Sequence, residues 1–322
     1  MTEENNDNNN NPSSPSDLPV VSINFDRRLP VLHSYLGDLH QGELLFESLY
    51  EEPNTELKVP VLLMGEVCLL PGQKLPLKLY ARTSIEFMSD PIRQRSYFAL
   101  FTRNENVLFQ NAQDFSRIPC HSAGTLFQRY KFLASLTPHT TFIYNYSSTE
   151  NFVKRLVNWL SVWFKRSQID LIINQGMTVF SFWVASNIPM SLDSKLLLLE
   201  ENSTDRRLRM EWRIISQMTR IVCLACHDFK CSINDIINLS VDANSAHFVN
   251  QGGFVHDLFT VGTIKNVDFQ GEPSPEFCWF SGYEWTVMEC NECGTHIGWR
   301  FTTSSEDLTP SQFLAFLDAL LN

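Results

Sequence analysis

The sequence predicts an α+β protein with a mainly-β region first, a small helical bundle next, and an all-β unit closed by a terminal helix. Three observations point there. Short apolar runs punctuated by Pro, Gly and Asn dominate the first half of the chain, the mark of strands and turns. Between about residues 146 and 219, apolar residues recur every three or four positions, the period of a helix face. After residue 220, strand-length stretches return between Gly, Pro and Ser turns.

Residues 1–18, rich in Asn, Ser, Pro and Asp, bury too little to offset the entropy of ordering and are expected to form a disordered tail. Within 19–145, "VPVLLMGEVCLLPGQKLPLKLY" predicts two strands about a Pro71-Gly72 turn. "SYFALFTRNENVLFQNAQDF" predicts a second pair about Asn104 to Asn106. In 146–219, Ser147 and Glu150 have capping-box spacing, and Phe152, Leu156, Trp159 or Leu160, and Trp163 then share one face. "SLDSKLLLLEE" and "TDRRLRMEWRIISQMTR" give two more helices, the second with Leu208, Trp212 and Ile215 on its stripe. In 220–322, "FVHDLFTVGTI", "EWTVMEC" and "HIGWRFTT" predict strands. A closing helix is predicted with Thr309 as N-cap, Pro310 at its first position, Gln312 as the return hydrogen bond, and Phe313, Phe316, Leu317 and Leu320 buried.

Composition narrows the function. At 322 residues and 43% hydrophobic content, the chain can bury about two cores. No apolar run approaches the roughly 18 residues of a membrane span, and the N-terminus has neither the basic start nor the apolar centre of a signal peptide. A net charge of −11 repels phosphate backbones. Neither a nucleic acid nor a membrane is therefore expected as partner, and a reducing compartment is, with its eight cysteines as thiols or metal ligands.

"RIVCLACHDF" carries Cys223-x-x-Cys226-His227, a spacing shared by c-type haem attachment and by half of a four-thiolate zinc site. Cys290-x-x-Cys293 repeats the gap. Two such knuckles complete a closed tetrahedron, the form of a structural zinc site, whereas haem leaves the second pair unexplained. The 63 residues between the knuckles imply an ion that clips two ends of a β domain. His227 is then an exposed neighbour, and Cys68, Cys120, Cys231 and Cys278 are ordinary thiols.

Trp279, Trp285 and Trp299 fall within 21 residues, with Phe301 two beyond the third. Two readings stand: a dry core, or an open aromatic cage for a flat or cationic apolar ligand. Ser281-Gly282 allows a tight turn that would hold Trp279 near Trp285. No paired carboxylates or Ser/His/Asp arrangement stands out, so intrinsic catalysis is not expected.

"CLAC…FVNQGGFVHDLFTV…CWFSGYEWTVMECNECGTHIGWRFT" resembles the C-terminal thalidomide-binding domain of the cereblon family, the substrate receptors of cullin-RING ubiquitin ligases, over residues 221–322. "FDRRLPVLHSYLG" and "LLPGQKLPLKLY" resemble the start of that family's Lon-like domain, and "SLDSKLLLLEENSTDRRLRMEWRI" its helical segment. The resemblance implies one structural Zn2+ on Cys223, Cys226, Cys290 and Cys293. It implies a pocket walled by Trp279, Trp285 and Trp299, closed below by Phe301, and edged by Asn250. Backbone about Phe277, Cys278 and Trp279 would bond a cyclic imide, either a glutarimide-type small molecule or a cyclised C-terminal Asn or Gln of a substrate protein. The implied partners include the ligase adaptor, and the implied location is cytoplasmic and nuclear.

Three departures mark this chain. Gln251 and Gly252 follow Asn250 where the family has Pro and His, and Phe277 stands in place of a His. The Lon-like region is short, with only about 30 residues between "FSRIP" and the first long helix. An enzyme alternative comes from B-type methionine sulfoxide reductases, since "CGTHIGW" is similar to their "CGxHLGH". They need a nucleophilic thiolate afterwards, yet no cysteine follows Cys293 and Trp299 replaces the His. A zinc-stabilised interaction domain without a pocket is the remaining alternative.

Overall fold

The computed structural model describes residues 23–37, 59–94 except 66, 98–102, and 148–317 except 242. The expected tail, Cys120, the strand pair beyond residue 102 and Leu320 lie outside the described residues. The architecture is α+β, as the periodicities predict, but its two layers differ in kind.

The helical layer comprises α3 (Thr149–Leu160), α4 (Arg166–Asn174), α5 (Met177–Ala185), α6 (Leu192–Glu200) and α7 (Thr204–Gln217); α1 (Leu29–Leu32) and α2 (Arg82–Gln94) precede it. Ser148, one residue later than predicted, is the N-cap of α3. Ser191 and Ser203 cap α6 and α7 by accepting from the amides of Ser194 and Arg206, which satisfies donors the first turn leaves orphaned. Leu156, Leu160, Leu198 and Leu208 are fully buried in one core, each such side chain contributing about 1.5–3 kcal/mol. Trp159 and Trp163 touch edge to face at 4.6 Å, and Trp163 Nε1 donates to Ile236 O at 3.0 Å, so the stripe ends at the junction with the sheet.

The region read as mainly β contains, among the described residues, β1 (Val61–Met64) and β2 (Ala99–Thr102). They pair in parallel with helix α2 lying between them in sequence. The predicted hairpin about Pro71-Gly72 does not form. The turn exists, with Gly72 at φ +91 and Gln73 N donating to Leu70 O at 3.0 Å. Neither flank of the turn, 67–70 or 73–80, carries a strand: Cys68 and Leu70, just before it, are buried against the helices, so packing, not pairing, decides the path there.

The second layer is a six-stranded antiparallel sheet, order β5-β6-β10-β9-β8-β7. Its strands are β5 (Ser245–Val249), β6 (Val255–Val261), β7 (Val267–Ser274), β8 (Glu284–Cys290), β9 (His296–Thr302) and β10 (Gln312–Leu317). A short antiparallel pair, β3 (Arg220–Val222) and β4 (Phe229–Ser232), packs beside it.

The predicted closing helix is instead strand β10. Residues 313–317 are all apolar and lie between β6 and β9, and 313–316 are buried although successive side chains point to opposite faces. A continuous apolar run of that length suits a central strand as well as a helix face. Phe313 and Ala315 enter one core with Phe280 and Phe301, while Leu314 and Phe316 enter another with Met288 and Cys290. Gly298 permits the close β9–β10 approach: at φ +147, an added Cβ would stand 2.1 Å from Ala315 O.

The segment 23–37 packs on the sheet. Phe25 is buried against Phe280 and Tyr283 at 6.1 and 5.7 Å, and Tyr35 Oη accepts from Val249 N at 3.1 Å. The two layers are tied by Lys195 of α6, whose Nζ lies 2.5 Å from Asp257 Oδ2 on β6. Although burial would raise it, Lys195 and His247 hold the Asp257 carboxyl below its usual range.

Candidate functional site

Two features face opposite sides of the sheet. On one, Cys223, Cys226, Cys290 and Cys293 bring their sulfurs within 4.8 Å of one another. The knuckles repeat each other bond for bond. His227 N donates to Cys223 O and Gly294 N to Cys290 O, both at 2.8 Å; Cys223 N donates to Asp228 O and Cys290 N to Thr295 O, both at 2.9 Å. His227 and Gly294 both take positive φ, +60 and +68. His227 is exposed and supplies this turn.

The donor set fits one tetrahedral ion. Sulfurs of Cys223 and Cys293 are 3.6 Å apart and those of Cys226 and Cys290 3.5 Å, far beyond a disulfide. Metal–sulfur bonds of about 2.3 Å in a tetrahedron require about 3.8 Å. Thiol electrostatics point the same way. Thr295, through its hydroxyl and backbone, draws Cys293 down to about 6. The backbone of Asp228 favours a Cys226 thiolate, but desolvation and the sulfurs of Cys290, Cys293 and Cys223 push that thiol up to about 12. Four crowded sulfurs ionise together only around a cation.

Lys230 braces this centre. Its side chain is fully buried, with Nζ 2.8 Å from Asp228 Oδ2 and 2.5 Å from Asn266 O. Asn266 O also accepts from Asn291 N at 3.2 Å. The residues beside one knuckle are thereby linked to the other.

On the opposite face is a cavity of about 450 Å³. Strand β8 presents Trp285, Val287 and Glu289 to it by alternation, while Thr286, Met288 and Cys290 are buried behind. Across the strand pair, Trp285 faces Phe301, Val287 faces Trp299 and Glu289 faces His296. The register shifts between Met288 and Glu289; this bulge brings His296 onto the cavity side with Trp299.

The three indoles are not packed solid against one another. Trp279 and Trp299 meet edge to face at 4.8 Å, whereas Trp285 makes its polar contact elsewhere, Nε1 donating to Glu276 O at 2.7 Å. Trp279 Nε1 donates to Val249 O at 3.1 Å, and its ring stacks on Phe248. Gly282, at φ +87, makes the turn between Trp279 and Trp285. Phe301 is buried, stacked on Phe313 at 5.1 Å.

Asn250 lines the cavity, and its carboxamide also builds the β5–β6 turn: Oδ1 accepts from Phe254 N at 2.9 Å, and Nδ2 lies 3.3 Å from His256 Nε2. Phe277 lines the mouth at φ +52, with Lys78 Nζ 4.9 Å from its ring centroid. Cys278 is not among the lining residues. Its Sγ lies 3.2 Å from Phe280 O, and burial pushes its thiol up to about 11. Glu276, Val287, Glu289 and His296 line the cavity but escape the motif reading. Alternation from Trp285 along β8 would have found two of them.

His256 and His296 both abut Trp299, at 5.0 and 4.6 Å. Burial lowers His256 to about 4 and lowers His296 as well, so both imidazoles are neutral at pH 7.

No helix of the described residues is long and apolar enough to cross a membrane. No family model matches the chain. Curated proteins do. The chain is 26% identical to chicken (Gallus gallus) protein cereblon over 372 aligned positions, covering 90% of this chain and 83% of that protein. Zebrafish (Danio rerio) protein cereblon is also 26% identical, with 90% and 86% covered. The protein cereblon of Drosophila pseudoobscura pseudoobscura is 28% identical over 135 residues, 41% of this chain and 22% of that one. The 372 positions exceed this chain's 322 residues, so the vertebrate proteins carry stretches without counterpart here. With likeness along nine-tenths of its length, a cysteine cluster in its C-terminal part and a large antiparallel sheet among helices, this chain is similar to the cereblon proteins of chicken and zebrafish.

Proposed function

We propose that this protein is a non-catalytic substrate receptor of a cullin-RING ubiquitin ligase, which captures cyclic-imide ligands in the cavity between Trp279, Trp285 and Trp299. The carrying observation is that two indole N–H groups are already committed to the carbonyls of Val249 and Glu276. The ring planes are thereby fixed around open space, and little freedom is lost when a ligand enters. A flat six-membered imide suits such walls. In this proposal Phe301 supports it from below, and backbone about Phe277 to Trp279 reads its polar edge. The natural ligand in this reading is a cyclised C-terminal Asn or Gln on a protein destined for ubiquitination, and a glutarimide-type small molecule is its mimic.

Zinc is the ion we assign to Cys223, Cys226, Cys290 and Cys293, where it supplies a closed four-thiolate tetrahedron without a reactive position. The chain's own residues then do the recognition, and ubiquitin transfer belongs to other subunits reached through the ligase adaptor. Such a receptor works in the cytoplasm and nucleus, where thiols stay reduced.

Titrating the zinc-loaded chain with glutarimide should give a saturable change in Trp fluorescence that is lost after chelation. No saturable change with zinc bound would overturn the cavity reading, and failure of the chain to co-purify with the ligase adaptor would overturn the receptor reading.

A further inference from the structure

The cavity carries a charge asymmetry that an imide ring alone does not use. In the register of the sheet, Asp268 of β7 stands opposite Glu289 of β8, which in turn stands opposite His296 of β9. Residues in register point to the same face, so this row lies on the cavity side. Two carboxylates set directly opposite each other are unfavourable unless something positive covers them. Neither has an ion-pair partner among the described residues, and no Lys or Arg is among the described residues that line the cavity. His296 and His256 are neutral at pH 7 because burial lowers both. The cation at the mouth, Lys78, rests over Phe277, at the edge that carries Glu276, and leaves the Glu289 end uncompensated. The indole faces add their own attraction for a cation.

We propose that the physiological ligand carries a positive charge beyond the ring held by the tryptophans, and that Glu289 is the specificity-determining residue that selects it. A C-terminal cyclic imide preceded by a Lys or Arg side chain has this chemistry. The inference rests on the cavity reading above: the ring docks between the indoles, and the cation reaches along Val287 to the Asp268–Glu289 row.

The test uses two glutarimides with the same short arm, one ending in trimethylammonium and the other in isosteric tert-butyl, so that only charge differs. With the zinc-loaded full chain at low salt, the cationic arm should bind roughly fivefold tighter, the ratio a half-exposed ion pair supports. It should fall towards one at about 0.5 M salt, where such pairs are screened. Glu289→Gln should collapse the ratio, and Asp268→Asn, on the exposed edge strand, should lower it part-way. Equal affinity of the two arms for the unaltered chain, or an undiminished preference in E289Q and D268N, would overturn the inference while leaving the cavity reading intact. Binding of neither arm would remove both.

Discussion

The two faces of the six-stranded sheet are built by the same strands and do different work. On β8, Met288 and Cys290 look into a core shared with Ile297, Leu314 and Phe316, whereas Trp285, Val287 and Glu289 look into the cavity. The first face is filled and ends at the four sulfurs. The second is filled under Phe25, Phe280 and Phe313 and left open at the tryptophans. A filled core and an open cavity are thus separated by strand parity, so a shift of one position along a strand switches which of the two a mutation strikes.

Both faces of the sheet are most vulnerable at Gly298. A Cβ there meets Ala315 backbone at 2.1 Å, which cannot give way as a flexible side chain could. Gly298→Ala should cost on the order of 3 kcal/mol or more, read as a lowered urea midpoint, and should damage metal retention and ligand binding together. A binding defect with unchanged stability would contradict the backbone argument.

Tryptophan truncations sharpen the contrast within the open face. Trp279, only 7% exposed and stacked on Phe248, should lose about 3–5 kcal/mol on change to Ala. Trp285, half-exposed at the mouth, should lose less than about 1.5 kcal/mol while abolishing the fluorescence response to imide. Equal destabilisation by the two would show Trp285 to be core.

Acid distinguishes the faces next. His247, His256 and His296 all have pKa values lowered by burial, and His256 and His296 belong to the cavity side. A lowered histidine pKa means that the unfolded chain takes up protons first. The stability it confers is therefore present above the unfolded value near 6.5 and is lost as pH falls from there towards the folded value, about 4 for His256. Thermal midpoints of the metal-saturated chain should fall between pH 7 and 5, and His256→Gln should flatten that slope. An unchanged slope would locate the acid sensitivity in the thiolates instead.

The smallest effect is expected at the rim. Phe277 holds φ +52, a region costly for a bulky residue, and the residue is 44% exposed. Phe277→Gly should leave stability unchanged or raise it by up to about 1 kcal/mol, with weaker ligand binding from the lost rim.

What the sequence made legible follows from the same geometry. The paired Cys-x-x-Cys spacing and the tryptophan cluster were readable because local turns bring those residues together. The helical stripes were readable because Leu156, Leu160, Leu208 and Ile215 bury one face only. Strand β10 was not, since an apolar run buried on both faces has no period to betray it. His296 was hidden by the shift in register between Met288 and Glu289, which moves it to the side that simple alternation denies it. Lys195 looked like a solvated helix residue and is only 2% exposed, because its partner Asp257 lies 62 positions away.

Phe25 governs how the sheet that carries the three tryptophans can be isolated. Its ring fills a space beneath Phe280 and Tyr283, and Asn24 secures it by accepting from Thr309 N at 2.6 Å. A fragment cut at residue 220 would begin with a hole in its interior where that ring belongs. A fragment meant to report faithfully on the tryptophans must therefore bring residues 23–37 with it, fused or added in trans.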